Sequence, residues 1–303
     1  MILITGGLGF IGTHTARALL DLGESCVLAQ RRPAEDPPVP AEVVQVDIAD
    51  LAGLRAVGDQ HKITGIVHLA GSMPWPPSQE QPVEAARNAL NGLFNVFQVA
   101  QDWGVGRVGL ASTIGVYGGI AADRPFTEDM PLPMASGHLI PAFKKIGELL
   151  SDHLAAAAGL DIVNYRIGAI WGPLGRPVDR FFAAPQLVHA AARGEAFEAP
   201  DSAIDLCYVK DCGRAIALLQ VADRLNHRTY NVSSGRVTSN ADVVAAIRAI
   251  EPEAQVSVTP NDGDGWQPLD ITRLHQDTGY TPEYSTERAV ADYLGWLRAG
   301  NPR

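Results

Sequence analysis

The stretch Met1-Ile2-Leu3-Ile4-Thr5-Gly6-Gly7-Leu8-Gly9-Phe10-Ile11-Gly12 decides the fold. Residues 1–5 are a short apolar run of the kind that forms a buried strand. Glycines follow at 6, 9 and 12, and apolar residues then recur at helical spacing over 10–22. Glycine permits a tight turn, a close backbone approach to a pyrophosphate and close packing of the helix on the strand. The new helix aims its free N–H groups and its dipole at the same point. A glycine triplet alone can be an ordinary strand-to-helix turn. Here a strand precedes it, an amphipathic helix follows, and a second strand comes about 20 residues on, which is the context of a dinucleotide-binding unit.

Outward from that turn the same alternation continues. Residues 25–30, 43–47, 65–69, 107–111 and 161–166 read as strands, and 51–61, 83–103 and 142–158 as helices. Near-continuous apolar strands separated by helices predict an α/β protein with a doubly wound parallel sheet of Rossmann type. Beyond Gly172 the pattern loosens. Helical stretches at 185–193, 211–221, 240–250 and 287–297 alternate with short strands at 206–209 and 229–232. The expected division is a dinucleotide-binding domain over 1–168 and a mainly substrate-binding lobe over 169–303, with some elements returning to the main sheet. Two irregular stretches, 72–81 with its prolines and Trp75 and 118–141 with its glycines and methionines, are long enough to be functional loops.

The end of the second strand discriminates between cofactors. A carboxylate there would hold the ribose 2′-hydroxyl of NAD. This chain has Gln30-Arg31-Arg32 instead. Two guanidinium groups beside a neutral amide suit a 2′-phosphate, so NADPH is the expected cofactor, with NADH also usable. The competing explanation is two solvated surface arginines. Asp47 and Ile48, at the end of the third strand, are expected to flank the adenine.

Composition removes several alternatives. The chain has 303 residues, 46% hydrophobic and 19% charged, with a formal net charge of -10. Nucleic acid and anionic membrane are therefore not expected partners. No apolar run approaches the roughly 20 residues a membrane helix needs, and residues 1–5 read as a core strand rather than part of a signal peptide. Cys26, Cys207 and Cys212 are sparse and lack metal-ligand spacing, which suits reduced thiols in the cytoplasm. The histidines show no HExxH-like pairing, so no metal site is expected.

With these elements placed, the chain resembles the extended short-chain dehydrogenase/reductases, the NAD-dependent epimerase/dehydratase group. The resemblance rests on TGGLGFIG at 5–12, VHLAG at 67–71, ASTIGVYGG at 111–119, KKIGELL at 144–150 and RIGAIWGP at 166–173. It continues through IDLCYVKDCGRAI at 204–216, YNVSSG at 230–235 and DITRLHQDTGYTP at 270–282. It implies cofactor contacts from Gly6, Gly9, Phe10, Ile11 and Gly12, and from Leu69, Ala70 and Gly71. Ala111, Lys144, Arg166 and Gly168 complete that set, with Gln30, Arg31, Arg32, Asp47 and Ile48 at the adenosine end.

The resemblance also implies a catalytic Ser/Thr, Tyr and Lys, with Tyr and Lys four residues apart on one helix face. Thr113 matches the first and Lys144 the last, followed by Glu148. The tyrosine position is then Ile140, which cannot exchange a proton. Tyr117 belongs to the VYG turn and is not that acid. A second departure is Ile204, where nucleotide-sugar enzymes of this group commonly carry an arginine for the substrate phosphate.

These departures direct the expected function. Ser72, Met73, Trp75, Thr113, Tyr117, His138 and Ile140 are the expected substrate contacts, and Met130, Met134 and Leu139 add apolar loop surface suited to a flat aromatic substrate. Ordinary loop packing is the alternative. The combination resembles an atypical ketoreductase that reduces an angucyclinone-type aromatic polyketide in antibiotic biosynthesis. The proton would come from the substrate's own phenol, from water or from His138. A non-catalytic NADP-binding regulator is the alternative, and a nucleotide-sugar epimerase or dehydratase is less favoured because of Ile140. Monomer and homodimer both remain open.

Overall fold

The structure, a computed structural model, describes all residues except 34–36, 72–81, 180 and 262–265. The first half runs β1 (Ile2–Thr5), α1 (Phe10–Asp21), β2 (Cys26–Gln30), β3 (Glu42–Gln45), α2 (Leu51–Gln60), β4 (Gly65–His68), α3 (Pro82–Trp103) and β5 (Arg107–Thr113). A 3-10 turn, Ile114–Tyr117, leads towards α4 (Leu139–Ala158), β6 (Ile162–Ile167) and β7 (Ala169–Trp171). The second half continues with α5 (Ala184–Arg193), β8 (Phe197–Pro200), β9 (Ala203–Ile204), β10 (Leu206–Tyr208), α6 (Val209–Val221), β11 (Thr229–Val232) and β12 (Thr238–Ser239). It closes with α7 (Asn240–Ile250), β13 (Val256–Thr259), α8 (Thr272–Thr278) and α9 (Thr286–Arg298).

Among the described residues, the main sheet has seven strands in the order β11-β6-β5-β4-β1-β2-β3. Its pairings are all parallel. The expected doubly wound Rossmann-type sheet is therefore present. Alternation along β1 shows why it is covered on both faces. Ile2 and Ile4 join a cluster with Ala16 and Leu19 of α1 and Ile216 of α6. Leu3, between them, joins Leu54, Val96 and Phe97 of α2 and α3 on the opposite face. Successive side chains of a strand point to opposite faces, so each short strand feeds two cores. The α1–α6 crossing is close enough to need Gly213, where an added Cβ would lie 2.6 Å from the backbone of His14.

The second half builds a separate hydrophobic cluster from Trp171, Leu187, Tyr208, Val243, Ile247 and Tyr293. One of its strands, β11, returns to the main sheet beside β6. Two boundaries differ from expectation. The third strand pairs over Glu42–Gln45, leaving Asp47 beyond its end. The helix expected over 142–158 starts at Leu139, with His138 as its N-cap. Pro141 reads in sequence as a stop, but it occupies the first helical turn, where its missing N–H has no intrahelical partner to lose.

Candidate functional site

β1 lies between β2 and β4, where the winding of the sheet reverses. Open parallel sheets bind ligands at such a switch point, outside the carboxyl ends of the strands. Gly6 to Gly12 occupy that place. Gly6 has φ +69 and donates from its N–H to Ala29 O on β2 at 3.0 Å. The turn is so compact that a Cβ on Gly12 would lie 2.2 Å from Gly6 O. Among the described residues, the N–H groups of Phe10, Ile11 and Gly12, at the start of α1, have no protein acceptor. Unclaimed donors at a helix start fit an anionic pyrophosphate.

The end of β4 completes this cradle. Thr5 O accepts from Leu69 N at 3.2 Å, and Thr5 Oγ1 accepts from Ala70 N at 3.2 Å. Thr5 Oγ1 also lies 2.7 Å from His68 Nδ1. Burial, and then the charge of Lys144, push the His68 imidazole down to about 3, so it is neutral near pH 7. Gly71 continues beyond on the surface. Ala111 is buried within β5, in the core below the strand ends. Gly168 lies between β6 and β7, where a Cβ would strike Ser233 Oγ.

At the adenosine end, Gln30 is the last residue of β2, and Arg31 and Arg32 are exposed just after it. Neither guanidinium has a partner among the described residues; the Arg31 carbonyl accepts from Gln45 Nε2 at 3.2 Å. Asp47 is exposed and caps its own turn by accepting from Ala49 N at 2.9 Å. The Ile48 side chain is buried against α3, where Asn95 Nδ2 donates to its carbonyl at 2.9 Å.

Thr113 ends β5, half-buried, and its hydroxyl oxygen accepts from Gly115 N at 3.2 Å. Helix α4 starts against this turn, since a Cβ on Gly115 would lie 2.9 Å from the Pro141 ring. Ile140 is therefore in the first turn of α4 and Lys144 one turn further on. Lys144 makes no hydrogen bond or ion pair among the described residues. Burial lowers its ammonium to about 8, and Glu148 opposes that shift. Lys145 reaches the carbonyls of Pro133 and Ala135. His138 stacks on Phe181 with centroids 5.6 Å apart. Ser72, Met73 and Trp75 fall outside the described residues.

A buried network behind Thr113 and Lys144 was not foreseen. Glu148 accepts from Ser112 Oγ at 2.5 Å, from Arg166 Nη2 at 2.7 Å and from Arg166 Nε at 3.1 Å. Arg166 Nη1 donates to Tyr117 Oη and to Glu128 O, both at 2.9 Å. Tyr117 in turn donates to Asn231 Oδ1 at 2.8 Å. This corrects the expectations for two residues. Arg166 was expected on the cofactor, but its donors are engaged by the protein. Tyr117 was expected on the substrate, but it is wholly buried, its phenol pushed up to about 12 chiefly by burial. The visible sequence signal was the Lys144–Glu148 spacing, one helical turn on one face.

A doubly wound sheet, a glycine turn at its switch point and a Thr/Lys pair at the ends of β5 and α4 define the dehydrogenase/epimerase class of dinucleotide fold. The model of the NAD dependent epimerase/dehydratase family matches residues 2–233, and the chain belongs to that family. It is 28% identical to the UDP-glucose 4-epimerase of Azospirillum brasilense, over 98% of this chain and 92% of that one. It is 26% identical to the UDP-glucuronate 4-epimerase of Thermodesulfobacterium geofontis, over 98% of this chain and 95% of that one. Among solved structures, MoeE5 in complex with UDP-glucuronic acid and NAD is 26% identical, with a TM-score of 0.78 and 99% of each chain covered. The UDP-glucose 4-epimerase of Thermotoga maritima, 22% identical, shares the fold with a TM-score of 0.83 and 99% of each chain covered.

These relatives overturn the expected ketoreductase of an angucyclinone-type aromatic polyketide and its aromatic ketone substrate. They are nucleotide-sugar 4-epimerases, the reading that Ile140 had disfavoured. The physical source of the error is visible. Ile204 pairs with Thr238 and packs on the second hydrophobic cluster. Met130 packs with Leu132 around Val116, Phe126 and Leu269. Leu139 is the first residue of α4. Ile204 and Met130 are explained by the protein's own packing and need no flat substrate.

Proposed function

We propose that this protein is a nicotinamide-dinucleotide-dependent enzyme acting on a nucleotide-activated sugar, moving a hydride to and from a ring carbinol. The observation that carries this reading is the end-to-end similarity to UDP-sugar 4-epimerases in a chain that keeps both Thr113 and Lys144 at the carboxyl edge of the sheet. A bound nicotinamide would supply the hydride acceptor and donor. The chain's own residues would do the rest. The N–H groups of Phe10 to Gly12 would hold the pyrophosphate, and Arg31 and Arg32 would favour a 2′-phosphate, hence NADP(H), with NAD(H) also accepted. Lys144 would hold the nicotinamide ribose, and Thr113 would orient the reacting hydroxyl. His138, beside the start of α4, would border the substrate.

Ile140 favours a second reading, a dinucleotide-binding protein without turnover. Incubating the protein with NAD or NADP and UDP-glucose, UDP-glucuronate or UDP-N-acetylglucosamine separates the two. Epimer or keto-sugar formation, followed by chromatography, is the expected result. Dinucleotide binding with no change in any of the sugars would favour the second reading.

A further inference from the structure

The site lacks the phenol but retains a lysine backed by a buried carboxylate. Lys144 and Glu148 are one turn apart on α4, and Glu148 is clamped from two strands, by Ser112 of β5 and Arg166 of β6. Ser112 is the neighbour of Thr113, and Arg166 also holds Tyr117 at the end of the 3-10 turn. A single carboxylate therefore sets the position of α4 against the strand that carries Thr113.

We propose that Lys144 is the proton-exchanging residue of this site, and that Glu148, held by Ser112 and Arg166, is the residue that positions and tunes it. The inference rests on the hydride-transfer reading above. In the oxidative direction the substrate O–H breaks and its proton passes to the neutral Lys144 amine. A bound nicotinamide would take the carbinol C–H electron pair as hydride, leaving a carbonyl. Reduction reverses each transfer. A proton exchanger works best when its pKa lies near the working pH, and burial brings Lys144 to about 8.

The charged and titratable groups around Lys144 are consistent with this role. On its own helix Glu148 favours the ammonium. From β4, His68 is neutral and adds no competing charge near pH 7. From β6, Arg166 is neutralised against Glu148. The adjacent Lys145 is tied to loop carbonyls. Isoleucine at 140 places no acid one turn before the lysine.

Titration of isotope-labelled lysine by NMR tests the proposal on the intact protein. The lysines are Lys62, Lys144, Lys145 and Lys210, so assignment needs only Lys144→Arg. Lys144 is expected to titrate near 8, below the ordinary lysine value of 10.5. Glu148→Gln keeps the shape but removes the charge, and should lower that titration by about one unit. Glu148→Asp keeps the charge on a shorter stem and should give an intermediate value. Circular dichroism identifies a variant that fails to fold, and the Asp variant then carries the test. Lys144 titrating at the ordinary lysine value of 10.5, or unmoved by both substitutions, would overturn the proposal. A depressed titration without turnover on any UDP-sugar contradicts the substrate reading but supports the tuning of Lys144.

Discussion

The turn at Gly6–Gly12 and the opening of α4 lie at the same edge of the sheet but are built from different materials. The turn is backbone. Its glycines crowd one another, and what it offers a ligand is N–H groups and a helix dipole. The α4 region is side chains: Thr113, Ile140 and Lys144 in front, with Ser112, Glu148 and Arg166 behind them. Backbone geometry survives many substitutions around it, whereas proton chemistry changes with one residue. The frame that binds a dinucleotide and the groups that move a proton are therefore separately encoded, and Ile140 alters the second without touching the first.

If the α4 region stands on its buried ion pair, removing one partner should have the largest effect. Arg166→Met leaves Glu148 charged and unpaired, and is expected to cost about 3–5 kcal/mol in urea unfolding. The double change Glu148→Leu, Arg166→Met should recover much of that loss. Equal losses in both variants would show that the pair's charge is not what matters.

The neutral histidine beneath the cradle gives the next largest effect. His68 has its folded pKa lowered to about 3 from an ordinary 6.5. The unfolded chain therefore binds a proton first as the pH falls. Its contribution to stability is present above 6.5 and is lost as the pH falls through the interval down to about 3. The loss should reach on the order of 4 kcal/mol. His68→Gln should flatten this acid limb of the stability curve; an unchanged limb would place the titration elsewhere.

At the turn itself, Gly12→Ala should cost about 1–3 kcal/mol by overpacking and abolish dinucleotide binding. Lys144 should still titrate near 8, because its burial and Glu148 set it independently of the glycine turn. A Lys144 shift in this variant would contradict that independence. The smallest effect is expected from Arg31→Ala with Arg32→Ala: roughly tenfold weaker NADPH binding with NADH nearly unchanged. Equal weakening of both cofactors would remove these arginines from phosphate recognition.

The sequence made the sheet legible because period-two apolar runs and glycine turns are local signals. It put the start of α4 three residues late, because Pro141 looks like a terminator and is tolerated in a first turn. Arg166 was misread because its partner Glu148 is on another element, and no local pattern pairs them. The substrate was misread for a similar reason: Ile204 reads as a lost phosphate-binding arginine and Met130 as a pocket wall until their packing partners are known. Thr113 and Lys144 could be proposed from the sequence because their motifs are contiguous.

Transfer of label tests the hydride-transfer reading most directly. UDP-glucose or UDP-glucuronate carrying deuterium at the carbinol carbon is mixed with the NAD- or NADP-loaded protein. The reaction is quenched with alkali during turnover, before the hydride returns to the sugar, and the reduced cofactor is weighed by mass spectrometry. Deuterium on the nicotinamide, lost in Lys144→Met and retained in Arg31→Ala, is the predicted result. Sugar and cofactor both bound, with no deuterium transferred from any substrate, would contradict it and leave a dinucleotide-binding protein without turnover.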